Sequence, residues 1–157
     1  PLTGLYNRVK LDEILQVSKL SVRRARRTTD HTKYYIAVVV DINNFKDVND
    51  AHGHRMGDAV LKHVGNLLSS CIRNEDFSFR LGGDEFLVLI PCFTDIEVDR
   101  TTKRVEKKMK AICRFQINGK IEGSFSYGIS SGPKNQLRDI IHRADLLMYG
   151  KKNSRVE

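Results

Sequence analysis

The sequence predicts an α+β domain, an α/β sandwich with a mixed central sheet flanked by helices. Three observations carry that expectation. Tyr35 to Val40 is an unbroken apolar run, as in a central strand buried on both faces. Phe77, Phe79 and Leu81 alternate with Ser78 and Arg80, and a second apolar run, Phe86 to Ile90, follows Gly82-Gly83-Asp84-Glu85, so the pair reads as a hairpin. Segments of helical spacing alternate with these strands, and Asn118-Gly119 signals a second hairpin with a type I′ turn. The 157 residues suit one domain, and 40% hydrophobic content is enough for a core.

The elements follow in order. Val9, Leu11, Ile14, Leu15, Val17, Leu20 and Val22 mark an amphipathic helix over about 9–27. Its end carries Arg23, Arg24, Arg26 and Arg27, where a solvated helix terminus favoured by the macrodipole is a plainer reading than a nucleic-acid site. After the strand that ends at Asp41, Asn43 or Asn44 can cap a short helix that stops near Gly53. Periodic apolar positions from Ala59 predict a helix over 59–72 with Asp58 at its N-cap. Arg73-Asn74-Glu75-Asp76 then reads as a surface ion pair before the first hairpin. A loop over 91–95 leads to a helix over 96–112, with Val98, Val105, Met109 and Ile112 at helical spacing. The second hairpin occupies 115–121 and passes into a strand over 124–130, where Gly128 allows close packing. The last helix, 136–152, places Ile140, Ile141, Ala144, Leu147 and Met148 on one face.

Composition narrows the classes of function. A net charge of +8 favours anionic partners, nucleotides among them. Cys71, Cys92 and Cys113 are odd in number, widely spaced and set among apolar neighbours, which reads as reduced thiols in a cytoplasmic protein and not as a disulfide or metal framework. No apolar run of membrane-spanning length is present, so no membrane contact is expected from this portion.

Chemistry concentrates where two of the strands end. A carboxylate at the end of a buried strand, Asp41, is costly unless a cation neutralises it. If the Gly-Gly-Asp-Glu hairpin lies beside that strand, Asp84 and Glu85 converge on Asp41, and mutual repulsion calls for a bound ion. Hard divalent ions take such oxygen ligands, and Mg²⁺ commonly shares them with substrate phosphates, which points to phosphoryl or nucleotidyl transfer. The bland alternative is an ordinary turn with solvated acids. Phe45 and Lys46 in the first turn of the following helix would offer backbone amides and an ammonium to a triphosphate; Lys46 as a plain surface residue is the alternative. His52 and His54 as a zinc pair lack further ligands nearby.

These residues resemble a known family. Gly82-Gly83-Asp84-Glu85-Phe86 is the motif of the GGDEF family, the diguanylate cyclases, and the resemblance continues from Leu2-Thr3-Gly4-Leu5-Tyr6-Asn7-Arg8 through Asp41 to Asp50, Gly53-His54-Arg55-Met56-Gly57-Asp58 and Ser126-Tyr127-Gly128 to Ala144-Asp145-Leu146-Leu147-Met148-Tyr149. The resemblance implies a fold like that of polymerase palms and class III nucleotidyl cyclases. It implies condensation of two GTP molecules into cyclic di-GMP and two pyrophosphates by two-metal catalysis, with two Mg²⁺ per active site and Mn²⁺ able to substitute. Asp41, the carbonyl of Ile42 and an acid of the hairpin would hold the metal, Asp84 also accepting the proton of the attacking hydroxyl in catalysis, with Glu85 as the alternative ligand and second catalytic acid. Phe45 and Lys46 would hold the phosphates, Lys46 neutralising charge in transfer; Asn49 and Asp58 would read guanine, His54 would contact substrate, and Lys152 and Arg155 would bind phosphate. Arg73 and Asp76 would bind the cyclic product and inhibit. Since each subunit would hold one GTP, the resemblance also implies a homodimer and an upstream sensory or regulatory region in a longer protein, which could carry a membrane anchor. The chain opens on Pro1 inside a family motif whose usual preceding Asp is absent, and it departs from the family in two places: many relatives have Asp where Asn43 stands, and the family's Lys-x-x-Gly-Arg becomes Lys152-Asn153-Ser154-Arg155. The rival reading within the resemblance is an inactive module that senses GTP or cyclic di-GMP.

Overall fold

The computed structural model describes residues 2–24 and 31–154, and side chains for 2–18 and 31–154. Arg23, Arg24, Arg26 and Arg27 therefore fall outside the described side chains, and Arg155 outside the described residues. In chain order the elements are α1 (Arg8–Arg24), β1 (Tyr34–Ile42), α2 (Phe45–His52), α3 (His54–Cys71), β2 (Phe77–Gly82), β3 (Glu85–Cys92), α4 (Asp95–Ile112), β4 (Arg114–Ile117), β5 (Ile121–Pro133), a 3-10 turn (Lys134–Gln136) and α5 (Leu137–Asn153).

The strands form one five-stranded sheet in the order β2-β3-β1-β5-β4. The architecture is α+β, as the sequence implies. Every pairing between these strands is antiparallel. The parallel component is the bridge between Tyr6 and Phe79, where the start of the chain lies along the free edge of β2. That edge would otherwise be open to pairing with another chain.

β1 is central because it is apolar on both faces. Ile36, Val38, Val40 and Ile42 point to one side and pack with Val60, Val64 and Leu68 of α3 and Val105 and Met109 of α4. Tyr35, Ala37 and Val39 point to the other and pack with Leu11 and Leu15 of α1 and Ile140, Ala144 and Met148 of α5. Side-chain alternation thus sorts the helices into two layers, and Asp41 shares the α1/α5 face with residues 35, 37 and 39.

Several boundaries differ from the sequence expectation. α3 begins at His54, five residues before the predicted start, because its first turn opens on exposed His54 and Arg55, and half-buried Met56 with buried Gly57 is too short an apolar trace to extend the period. Asp58 therefore sits inside the helix and is not its N-cap. Asn44 stands at the N-cap position of α2 with φ 54°, but no side-chain bond caps the helix. Asn43 is committed elsewhere: its amide donates to Ser124 Oγ at 2.9 Å and accepts from Ser126 Oγ at 2.8 Å. Val9, Val17 and Leu147 are exposed, since 3.6 residues per turn bring Leu11, Leu15 and Ser18, among the described side chains of α1, and Leu137, Ile140, Ala144 and Met148 of α5 onto the buried stripe of each helix. The Asn118-Gly119 turn has positive φ at both residues, 52° and 65°, as type I′ requires. All three cysteines are free, and burial pushes the Cys92 thiol up to about 11.

Helix and sheet approach closely at Gly128. A Cβ built there would stand 1.9 Å from the Ala144 carbonyl oxygen and 2.5 Å from the Met148 nitrogen, so only glycine lets α5 lie this close to β5. Gly128→Ala is expected to cost at least about 1–3 kcal/mol, the usual range for overpacking. Urea unfolding should show a lower midpoint at unchanged slope; an unchanged midpoint would show that α5 is free to shift.

Candidate active site

The antiparallel register of β1 and β3 sets Asp41 directly opposite Glu85, and that of β1 and β5 sets it opposite Ser126. Opposed residues project to the same face, so Glu85, Asp41 and Ser126 form a row across three strands on the α5 side. The tip of the β2–β3 hairpin is tied into this row, since the Ile42 backbone N–H donates to the Asp84 carbonyl at 3.2 Å. Gly82 and Gly83 have φ of 151° and 52°, a path that residues with a Cβ rarely follow. Arg80 steadies the tip by donating from Nε and Nη2 to the Gly83 carbonyl at 3.1 and 2.9 Å.

Asp41 is buried, and its carboxylate accepts a hydrogen bond from Lys152 Nζ at the last turn of α5. Burial pushes the Asp41 carboxyl up; the Lys152 bond opposes the shift, while Asp84 and Asp145 add to it. Glu85 is raised as well, by burial first and then by Asp41, Asp84 and Asp145, with Arg8 opposing. Neighbouring carboxylates thus oppose the ionisation of both Asp41 and Glu85. Such an all-oxygen set suits a hard divalent cation. Among the described residues no three His, Cys, Asp or Glu side chains are gathered into an enclosing metal site, so an ion here would complete its shell from ligand oxygens and water.

The other predicted residues divide between α2 and α3. Phe45 and Asn49 pack against Gly57: a Cβ there would meet Asn49 Oδ1 at 1.9 Å and Phe45 Cζ at 3.3 Å. This contact brings Asn49 beside the turn that presents exposed Asp58, and it makes the small residue before Asp58 a steric requirement. His54 opens α3 and Lys46 lies in the first turn of α2, both exposed. A wide cleft of about 1220 Å³ runs along a different face of α2, between Asp47 and His52 and the β4–β5 hairpin; Phe45, Lys46, Asn49, His54 and Asp58 do not line it.

Arg73 and Asp76 form a second locus on the far side of the hairpin. Asp76 is buried, and its Oδ2 accepts from the Arg73 backbone N–H at 2.8 Å, while the Arg73 guanidinium is exposed and reaches Glu75 at 3.8 Å. The expected surface ion pair between Arg73 and Asp76 is thus a side-chain-to-backbone bond that closes a turn. Both residues line a cavity of about 100 Å³ with Phe93 and, from α4, Thr101 and Arg104. Arg104 donates weakly to the Cys71 carbonyl at 3.4 Å, and its Nη2 is buried with no hydrogen-bond partner.

The model of the family described as diguanylate cyclase, GGDEF domain, matches residues 1–157. The chain belongs to the GGDEF family. It is 36% identical over 156 residues to diguanylate cyclase DgcP of Pseudomonas aeruginosa, covering 98% of this chain and 22% of that protein. It is 33% identical over 156 residues to diguanylate cyclase DgcZ of Escherichia coli, covering 98% of this chain and 50% of that protein. The crystal structure of diguanylate cyclase SiaD in complex with its activator SiaC, from Pseudomonas aeruginosa, superposes with a TM-score of 0.74 at 28% identity, over 98% of this chain and 57% of that one. The chain thus spans half or less of the length of these two curated relatives. No described helix of this GGDEF domain is long and apolar enough to cross a membrane.

Two residues of these sites have no role assigned by the sequence reading, Asp145 being named there only within a family motif. Asp145 faces the acidic row electrostatically, although in sequence it is one polar position of an amphipathic helix. Arg104 reaches the Arg73–Asp76 cavity from a helix 28 residues further on, and only the packing of α4 reveals it.

Burial is the first cause of the raised Asp76 carboxyl, with the Arg73 N–H opposing. The folded state therefore holds this proton more tightly than the unfolded chain. The resulting loss of stability is present in full above the folded pKa and disappears as the pH falls through it and past the ordinary value of 3.8. Asp76→Asn keeps an acceptor for Arg73 without the charge. It should be more stable than the parent at neutral pH, with the difference shrinking on acidification. Urea midpoints across a pH series test this, and a difference independent of pH would contradict it.

Proposed function

We propose that this chain is the catalytic domain of a diguanylate cyclase that condenses two GTP molecules into cyclic di-GMP. The observation that carries the reading is the cross-strand row in which the intact Gly82-Gly83-Asp84-Glu85 tip meets buried Asp41. In this reading Asp41, Asp84, Glu85 and the Ile42 carbonyl would hold Mg²⁺. When bound, that ion neutralises the triphosphate and makes the α-phosphorus more electrophilic. Asp84 accepts the proton of a ribose 3′-hydroxyl as that oxygen forms its bond to the α-phosphorus, and the α–β bridging bond breaks to release pyrophosphate. A second identical step closes the ring. Lys46 at the open start of α2, together with Lys152, neutralises phosphate charge. Asn49 and Asp58 read guanine, Asp58 accepting from N1–H and the exocyclic amine, a donor pair that adenine lacks. His54 contacts the same substrate from the start of α3.

One domain binds one GTP, so ring closure brings two domains face to face as a homodimer, under the control of a further region of a longer protein. Product inhibition belongs to the same proposal. Support comes from the second cavity, where exposed Arg73 and the unpartnered Nη2 of Arg104 present guanidinium donors suited to phosphate and guanine edges.

Incubation of the concentrated chain with Mg²⁺ and GTP, followed by mass spectrometry, should yield cyclic di-GMP. Asp84→Ala or Asp41→Ala should lower the rate by at least about a hundredfold, the low end for loss of a proton-transfer group. If no product forms even in a dimerising fusion while cyclic di-GMP still binds, the domain is a sensor. Arg73→Ala, and equally Arg104→Ala, should raise the product concentration needed for half-inhibition by about tenfold or more, as expected for loss of a charged hydrogen bond. Unchanged inhibition in both variants would remove the inhibitory assignment.

A further inference from the structure

Lys152 and Asp41 lie 111 residues apart in sequence, yet the ammonium of one is bonded to the carboxylate of the other. This is not a solvated surface pair: the Asp41 side chain is 11% exposed and that of Lys152 35%. The neighbouring Lys151 does not share the duty, because its ammonium lies over the ring of Tyr127 at 4.4 Å. Each of the two lysines thus has its own partner. Asp41 is otherwise faced by acids, Glu85 opposite it in register and Asp84 and Asp145 acting on it electrostatically. Removal of Lys152 would leave a buried carboxylate with no cation bonded to it.

Resting on the reading of Asp41 as a metal ligand, we propose that Lys152 is the resident counter-ion of that carboxylate. A divalent cation and the Lys152 ammonium exclude each other there, and the metal settles only as Lys152 transfers to the triphosphate. The physical basis is like-charge repulsion at a single buried carboxylate, where a dication and an ammonium a few ångströms apart are weakly screened. A flexible four-carbon stem lets the ammonium swing while the end of α5 stays docked. That docking is fixed by the contact of Gly128 with Ala144 and Met148. Metal alone meets the ammonium, and triphosphate alone meets the row of acids. Together they satisfy both, so each raises the affinity of the chain for the other.

The test is Mn²⁺ titration of the nucleotide-free chain, with free Mn²⁺ read by electron paramagnetic resonance. Lys152→Met and Lys152→Gln should bind Mn²⁺ at least about fivefold tighter than the parent, the low end of measured couplings between sites. Added Mn²⁺ should also raise their melting temperature more than the parent's. Equal or weaker Mn²⁺ binding in both variants overturns the proposal while leaving the metal assignment standing. If Asp41→Asn binds Mn²⁺ as tightly as the parent, the metal assignment fails, and this inference with it.

Discussion

The structure turns on a carboxylate at the end of a strand buried on both faces. Residues 35–40 of β1 are almost without solvent contact, and Asp41 continues that strand into the same environment. An ionised acid there is tolerable only if its surroundings supply positive charge. The last turn of α5 supplies it through Lys152, from the far end of the chain. The cost is not cancelled, since the carboxyl stays above its ordinary range. A site built this way is poised to exchange one cation for another, which a cavity lined with neutral groups would not be.

Everything that positions the acids follows from the sheet. Two-residue alternation assigns Asp41 and Glu85 to the α5 face and Ile42 to the α3/α4 face. The antiparallel register then makes Asp41 and Glu85 direct neighbours. Rigid support comes from below, where Gly128 brings α5 against β5, and from the tip, where Arg80 holds the Gly83 carbonyl. The residues proposed for binding and transfer thus sit on regular elements or at a tightly bonded turn. The second cavity is built from the same hairpin: the Arg73–Asp76 turn leads directly into β2, whose other end is the Gly-Gly-Asp-Glu tip. The cavity is also lined by Ile90 and Pro91 of β3, the strand that begins at Glu85.

The sequence by itself determined the main elements, and it did so where burial leaves a periodic trace. The apolar run of β1, the alternation of β2 and the buried stripes of α4 and α5 are legible because each reflects contact with a core, and the Asn118-Gly119 turn because its backbone requires positive φ at both residues. The acids of the row were legible too, since charged residues at the end of an apolar strand and after paired glycines are conspicuous. Tertiary structure decided the rest. The first turn of α3, exposed at His54 and Arg55, carries too little apolar signal to mark the helix start, so Asp58 reads as a cap, and only the packing of Asn49 on Gly57 places it beside its neighbours. Lys152 on Asp41, Asp145 near the row and Arg104 at the second cavity depend on how helices are laid on the sheet. Their partners lie tens of residues away, and pairings over that distance are set by the packing of whole elements and leave no local pattern in the chain.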